Sequence, residues 1–452
     1  MGAKVVRGVS GCHKAEYGIA DAASRLGRLV LFAALLSVVF AVAGCHRAKA
    51  AQGGKNFLVL QTNLQPPYQE LVNGALTGST IRLLDCAFRK IDVDYGITLA
   101  PRQRNRDMTR KGQADGFFLS RISSEMAIYA EPTSPLALEK WVWVSLHNVS
   151  DQQSRIPHPD QKVTLGVVLG SNEAEWIIDQ GYQDVVHAPS LHSLVSLLQM
   201  GRVDFALIDQ QAFARIRDDM KIAADQFTER FAHYMPLVMY FARDYTASHP
   251  DTVKKLNRAL TECGPAAVRL DHHEQQRIIR DEVGRIRQLM RAPALISALH
   301  NLGHKADPSV GDAPDRETIA RLDREWQEAS ANGTASRLAA DILQNEVSTY
   351  LQRAYRNRDI KFAEAFIFNR DGLVVGMSSP TSNYDQSGES KFSIFKDPSP
   401  DAVQIADIYY DPSTSKFLSQ ITLPLTDPET GEVVAALTVG LDVTAALDAE
   451  DY

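Results

Sequence analysis

Between Asn56 and Asp209 short runs of strand-forming residues alternate with helical spacing, and such alternation holds a chain to parallel sheets with helices on both faces. Phe57-Leu58-Val59-Leu60 opens the series, and Ile81, Leu84 and Phe88 align one apolar face of a helix over Thr80 to Ile91. Ala114 to Leu119 and Trp141 to Leu146 read as two further strands. Ser150 to Gln161 is polar, carries Pro157 and Pro159, and reads as a crossing segment. The alternation then resumes: strand at Val163 to Leu169, helix at Glu173 to Gln180, short strand at Val185-Val186, helix at Ser190 to Met200, strand at Val203 to Ile208. Two such runs predict two α/β lobes.

The rest of the chain has a different texture. Gln275 to Arg356 is largely helical, broken at Asp307 to Pro314 and near Asn332-Gly333. A β-rich tail follows. Ala365 to Phe368 and Leu373 to Gly376 flank Asn369-Arg370-Asp371-Gly372, whose Asp-Gly is a hairpin signal. Ile405 to Tyr410, Phe417 to Leu425 and Val433 to Leu441 complete about five antiparallel strands behind a long helix, an α+β sensor layout. At 452 residues more than one core is the expectation.

The N-terminus points outside the cytoplasm. Arg25 and Arg28 precede the apolar run Leu29 to Gly44, sixteen residues, short for a membrane span and right for a secretory leader. Val42-Ala43-Gly44-Cys45 resembles the bacterial lipobox, which implies a diacylglycerol on Cys45 and a lipid-anchored protein on the periplasmic side of a membrane. Cys12 falls in the leader, so Cys86 and Cys263 remain in an oxidising compartment, either as a disulfide or as two buried thiols. They carry no metal-ligand spacing, and neither metal nor cofactor is expected. A net charge of -7 without a basic, aromatic-interleaved run speaks against nucleic acid.

Six pieces in order resemble the bacterial family 3 periplasmic solute-binding proteins. They are Gln65-Pro66-Pro67-Tyr68, Leu76-Thr77-Gly78, Pro101 with Arg104, Lys111 to Gly116, Val163 to Ser171 and Gly201 to Asp209. The resemblance covers about 56–264 and implies lobe 1 over about 56–148 and 245–264, lobe 2 over about 160–240, and closure around a small solute. Tyr68, Ser120, Arg121, Ser171 and Asp209 all follow predicted strands, where ligands of open α/β sheets sit. Ser171 opens a helix, whose free N–H groups suit an anionic ligand group. With Arg104 these are the candidate ligand contacts of the first unit. In amino-acid binders of that family the position of Asp209 holds the ligand ammonium, whereas Met126 stands where the carboxylate-clamp arginine is expected. Arg121 is the substitute on the same edge. The site then takes a cationic amine without a carboxylate, or an amino acid held differently. Each residue also has a structural reading: Arg104 and Arg121 as salt bridges, Asp209 as the cap of a helix from Gln210, Tyr68 as packing.

The tail resembles the extracytoplasmic PAS-like sensor domains called Cache or PDC domains, over 286–449 after a connector at 265–285. Ala294 to Leu299, Ile319 to Trp326, Asn345 to Leu351 and Ala365 to Val375 carry the likeness, followed by Thr381, Ser382, Tyr384, Gln386 and Glu389. Ser387-Gly388 departs from the pattern and removes one carboxylate. Tyr409-Tyr410-Asp411, Gln420 and Pro424 continue it. The resemblance implies that Tyr384, Asp385, Gln386, Glu389 and Asp411 contact a small polar solute or brace the loop.

Together these features describe a lipid-anchored sensor that binds an amino acid, amine or small carboxylate and signals by contact to a membrane kinase, cyclase or chemoreceptor. The alternative is the binding component of an ABC importer, working with a permease. A remote alternative is a cell-wall lytic transglycosylase, suggested by Glu389-Ser390. A general acid there needs burial on a helix, and this pair lies in a polar stretch between strands, so no enzyme is expected.

Overall fold

The computed structural model describes residues 5–7, 57–147, 157–264, 268–305, 315–331, 334–355, 361–396, 399–411, 414 and 416–447. The leader's apolar run and Cys45 lie outside the described residues. A three-residue strand, Val5–Arg7, falls within the stretch read as a leader and pairs antiparallel with Asp94–Leu99 at the edge of the first sheet.

In the first unit Phe57–Thr62 pairs in parallel with Asp94–Leu99 on one side and with Gly116–Arg121 on the other. The helix Ser79–Lys90 buries Ile81, Leu83, Leu84, Ala87 and Phe88 on one side, as its apolar spacing requires. Beyond the crossing, Leu165–Val168 pairs in parallel with Val185–Ala188 and with Phe205–Asp209. Two long antiparallel strands, Ala137–Leu146 and Phe227–Ala242, join both halves into one curled sheet. The second of them lines up with Gly116–Arg121 through Leu237 to Phe241, and the first with Ala206 to Asp209 through Trp141 to Val144. These two strands form the hinge ribbon.

The Phe227–Ala242 strand has no counterpart in the sequence reading. Its sequence, FTERFAHYMPLVMYFA, lacks alternation, and Pro236 removes a ladder donor. The structure accommodates it with register shifts at Phe231/His233 and Val238/Met239.

Cys86, in Ser79–Lys90, is bonded to Cys263, in Thr252–Cys263, so of the two readings the structure adopts the disulfide. Gly78 precedes the first of these helices with φ of 127°, and a Cβ there would lie 2.1 Å from the Tyr68 carbonyl oxygen. Gly78→Ala is therefore expected to destabilise the chain by at least about 2 kcal/mol in urea unfolding; a cost near zero would mean that the Tyr68 loop is free to move.

The second unit begins with helices at His272–Ile278, Gly284–Met290, Pro293–Lys305, Arg316–Ala331, Arg337–Leu343 and Glu346–Tyr355. The long helix expected ahead of the sheet is thus divided among several shorter ones, and the two expected breaks lie outside the described residues. Ile279–Val283 adds a π-turn between the first two, and Pro293 starts a new helix where its missing N–H is harmless. The antiparallel sheet runs Val374–Met377, Phe362–Asn369, Val433–Asp442, Lys416–Thr426, Gln404–Ile405, with Tyr409–Asp411 also on Lys416–Thr426. The Asp371-Gly372 turn forms as expected. Gly372 has φ of 88°, and a Cβ on it would come within 2.7 Å of the Ser387 amide, so this turn and the Ser378 to Lys391 loop need a glycine to pack. Among the described residues no helix is long and apolar enough to cross a membrane.

Candidate functional site

The strand ends of the first unit converge on a buried polar cluster. Asp209 is 2% exposed at the end of Phe205–Asp209. One of its oxygens caps the helix Gln210–Asp219 at the Ala212 amide (3.0 Å), and the other accepts from the Tyr68 hydroxyl (3.3 Å). The capping reading of Asp209 thus holds, with its second oxygen turned to Tyr68. Glu139, from the hinge ribbon, is fully buried, accepts from the Trp141 indole at 2.9 Å and is bonded to the Gln65 amide. Glu173 is the third buried carboxyl, in the first turn of Asn172–Asp179.

Burial is the main cause that raises all three. The Asp209 carboxyl is pushed up to about 7, chiefly by burial and further by Glu173. Glu139 is raised well above its ordinary range by burial, then by Asp209 and Glu173, and the Tyr68 hydroxyl by burial and by the same carboxyls. Glu173 rises through burial while hydrogen bonds and Arg102 pull it back. Three acids competing for so little solvation make a site short of positive charge.

Arg102 is the buried cation that answers them. Its guanidinium donates to Leu119 O (2.7 Å), Asn172 Oδ1 (2.9 Å), Gln65 Oε1 (3.1 Å) and Gly170 O (3.2 Å), spanning both lobes. Arg106, one turn on, donates to Ser120 Oγ at 3.1 Å and pairs with Glu175 at 2.7 Å. Arg121 pairs with Glu175 at 3.4 Å and with Asp179. These contacts form a latch between the two halves of the first unit.

Of the first-unit candidates, the structure brings Tyr68 and Asp209 into direct contact. Ser120 and Arg121 lie on the latch, and Ser171 caps Asn172–Asp179 by accepting from the Ala174 amide at 3.1 Å. Arg104 differs from expectation: it is exposed, because residues two apart on the helix Arg102–Arg110 face opposite ways, whereas Arg102 and Arg106, four apart, share the buried side. Glu139, Glu173, Arg102 and Arg106 are the members that sequence reasoning missed. An i, i+4 arginine pair ahead of Lys111-Gly112 was the available signal. Trp141 and Trp143 are core residues. His272 and His273 are exposed at a helix start, and among the described residues no cluster suited to a metal occurs.

In the second unit the Ser378 to Lys391 loop is braced against the helix Arg316–Ala331. The Tyr384 and Asp385 amides both donate to Asp323 Oδ1 (2.8 and 3.1 Å), and the Tyr384 ring packs on Trp326 at 5.5 Å. Gln386 donates to Asn383 O, Glu389 accepts from Asn383 Nδ2, and Asp411 accepts from Thr414 Oγ1. These five residues are placed in bracing contacts. The polar groups gathered on the sheet are instead Lys391, Gln420, Glu364 and Tyr409. Lys391 Nζ donates to Gln420 Oε1 (3.0 Å), and Gln420 Nε2 and the Tyr409 hydroxyl both donate to Glu364 Oε1 (3.0 and 2.9 Å). Burial holds the Lys391 ammonium below its ordinary range.

No family model matches the chain, and no curated protein matches it. Solved structures do. A histidine kinase sensor domain with similarity to periplasmic binding proteins is 14% identical, with 46% of this chain on 89% of that one and a TM-score of 0.38. The arginine-, lysine-, histidine-binding protein from the thermophilic bacterium Geobacillus stearothermophilus is 15% identical over 46% and 89%, with a TM-score of 0.36. An ancestral arginine-binding protein bound to arginine is 19% identical over 46% and 92%, with a TM-score of 0.38. The likeness is one of backbone over about half of this chain.

Proposed function

We propose that this chain is an extracytoplasmic solute-binding sensor, lipid-anchored through Cys45, whose first unit closes on a small cationic amine. The observation that carries the solute class is the buried trio of Glu139, Glu173 and Asp209 around the Tyr68 hydroxyl, beside Arg102. Buried carboxyls demand a proton, a pairing cation or both, and a ligand amine supplies the cation. Met126 at the expected clamp position leaves a ligand carboxylate without a bidentate partner there. In the second unit the six strands, numbered in chain order, run 2-1-6-5-3 with the fourth also on the fifth, an antiparallel sheet that supports the PAS-like reading, and the unit relays the bound state to a membrane signalling protein.

Calorimetric titration of the purified chain with putrescine, arginine and glutamate tests the solute class. Putrescine or arginine is expected to bind and glutamate not to. Asp209→Asn is expected to weaken the amine by about tenfold or more, the cost of about 1.4 kcal/mol of lost pairing. Binding of glutamate alone would overturn the reading. Bound cation favours ionised Asp209, so affinity is expected to rise with pH up to about 7, where the Asp209 carboxyl titrates, and to level off above it. Without ligand the sign reverses. The raised carboxyl contributes stability that is fully present below the ordinary aspartate range and is lost as pH climbs through about 7, so the empty protein is expected to unfold more readily at pH 8 than at pH 5. Melting curves across that range check it, and Asp209→Asn flattens the Asp209 part of the slope.

A further inference from the structure

The hinge ribbon has two faces, and the second unit holds the one turned away from the cleft. Along Ala137–Leu146 successive side chains point to opposite faces. Glu139 and Trp141 face the carboxyl cluster, so Lys140 between them points away. Its ammonium, 6% exposed, donates to Asp271 Oδ2 (2.6 Å) and Glu274 Oε1 (2.9 Å) in the capping box of the helix His272–Ile278. Tyr234, paired with Lys140 across the ribbon and 1% exposed, donates its hydroxyl to the same Glu274 oxygen at 2.9 Å. The other Glu274 oxygen closes the capping box at the Asp271 amide.

Apolar packing follows the same line. Leu138 and Tyr234 of the ribbon share one core cluster with Leu270, Ile278, Phe417 and Leu441 of the second unit. Next to this contact lies a cavity of about 630 Å³, walled by His233 and Pro236 of the ribbon and by Tyr410 and Phe417 of the second unit. The two units therefore meet at this buried, hydrogen-bonded contact, with open space beside it.

We infer that Lys140 and Tyr234 couple the lobe angle to the second unit through Glu274. Lobe rotation has to twist the ribbon, because both lobes hang on it. A twist that moves Glu139 also moves Lys140, one residue on, relative to Glu274, and the cavity beside Tyr234 leaves that side of the contact open. Weakening the pair separates a buried ammonium from a buried carboxylate, so the helix moves with the ribbon. The inference rests on the proposed closure of the lobes, but its test needs no solute, so failure of the amine titration and failure of the coupling are read separately.

Hydrogen exchange on the full chain tests the coupling in both directions, since coupling between two sites is reciprocal. Glu175→Gln with Asp179→Asn loosens the lobe latch, and exchange over 272–278 is expected to rise about fivefold along with that over 169–180. From the other side, Tyr234→Phe, which removes one hydrogen bond and keeps the packing, is expected to raise exchange over 169–180 by about the same factor. Glu274→Gln repeats this second arm with the charge removed. If the distant segment stays silent in either direction, the coupling is overturned.

Discussion

Arg102→Met is expected to destabilise the chain by about 3–5 kcal/mol, the cost of removing one partner from a buried charged network. The guanidinium leaves four acceptors behind, on Leu119, Gly170, Asn172 and Gln65, drawn from both lobes. It also removes the guanidinium that offsets Glu139 and Glu173. Methionine fills much of the volume, so the loss reports pairing more than packing. The sign of its pH dependence follows from the raised carboxyls. Asp209, which faces the same cluster and titrates near 7, holds its proton at pH 5 and is ionised at pH 8, where it adds negative charge beside Glu139. The penalty measured by urea unfolding should therefore be smaller at pH 5 than at pH 8. A cost below about 1 kcal/mol at pH 8 would mean that water already solvates the cluster, and the cationic-solute reading would lose its ground.

The second large effect belongs to the disulfide. Cys86 and Cys263 close a loop of 177 residues, joining the first helix of the unit to its last. Chain-entropy reasoning for a loop of that length gives about 5 kcal/mol, and values of about 3–5 kcal/mol are the range to expect for Cys86→Ser. The two helices already pack through Leu83, Leu84 and Leu256, so the loss falls on the unfolded ensemble more than on native contacts. Unfolding of Cys86→Ser and of the reduced wild type should agree. If both unfold at the wild-type midpoint, the two thiols do not pair in solution.

The coupling inferred through Lys140 and Glu274 places the proposed solute site and the second unit on opposite faces of a single strand. Closing such a hinge transmits only the ligand's preference for the closed lobes. The salt bridges of Arg106 and Arg121 to Glu175 and Asp179 already favour closure, which lowers the contrast a solute has to supply. Latch variants are therefore expected to change the proposed signalling output as well as exchange.

Much of the architecture was legible from the chain itself, because its causes are local. Apolar spacing in Thr80 to Ile91 set a helix and its buried side, Ser171 and Ser190 stand as caps, and Gly78 and Gly372 mark places where a Cβ has no room. Tyr68 and Asp209 could be named because residues at strand ends meet in any sheet of this kind. What only the tertiary structure decided depends on distant partners. Phe227–Ala242 is a strand despite Pro236 because Ala137–Leu146 and Gly116–Arg121 bond to it from both sides. Arg102 and Arg106, not Arg104, enter the cleft because lobe 2 faces that side of the helix, and no local signal says which side that is. Glu139 and Lys140 are neighbours in sequence, and folding alone sends one to the carboxyl cluster and the other to Glu274. Helix spacing, caps and turns are short-range and were written in the residues, whereas burial, ion pairing and the sharing of protons arise only when segments far apart in the chain exclude water from the same place.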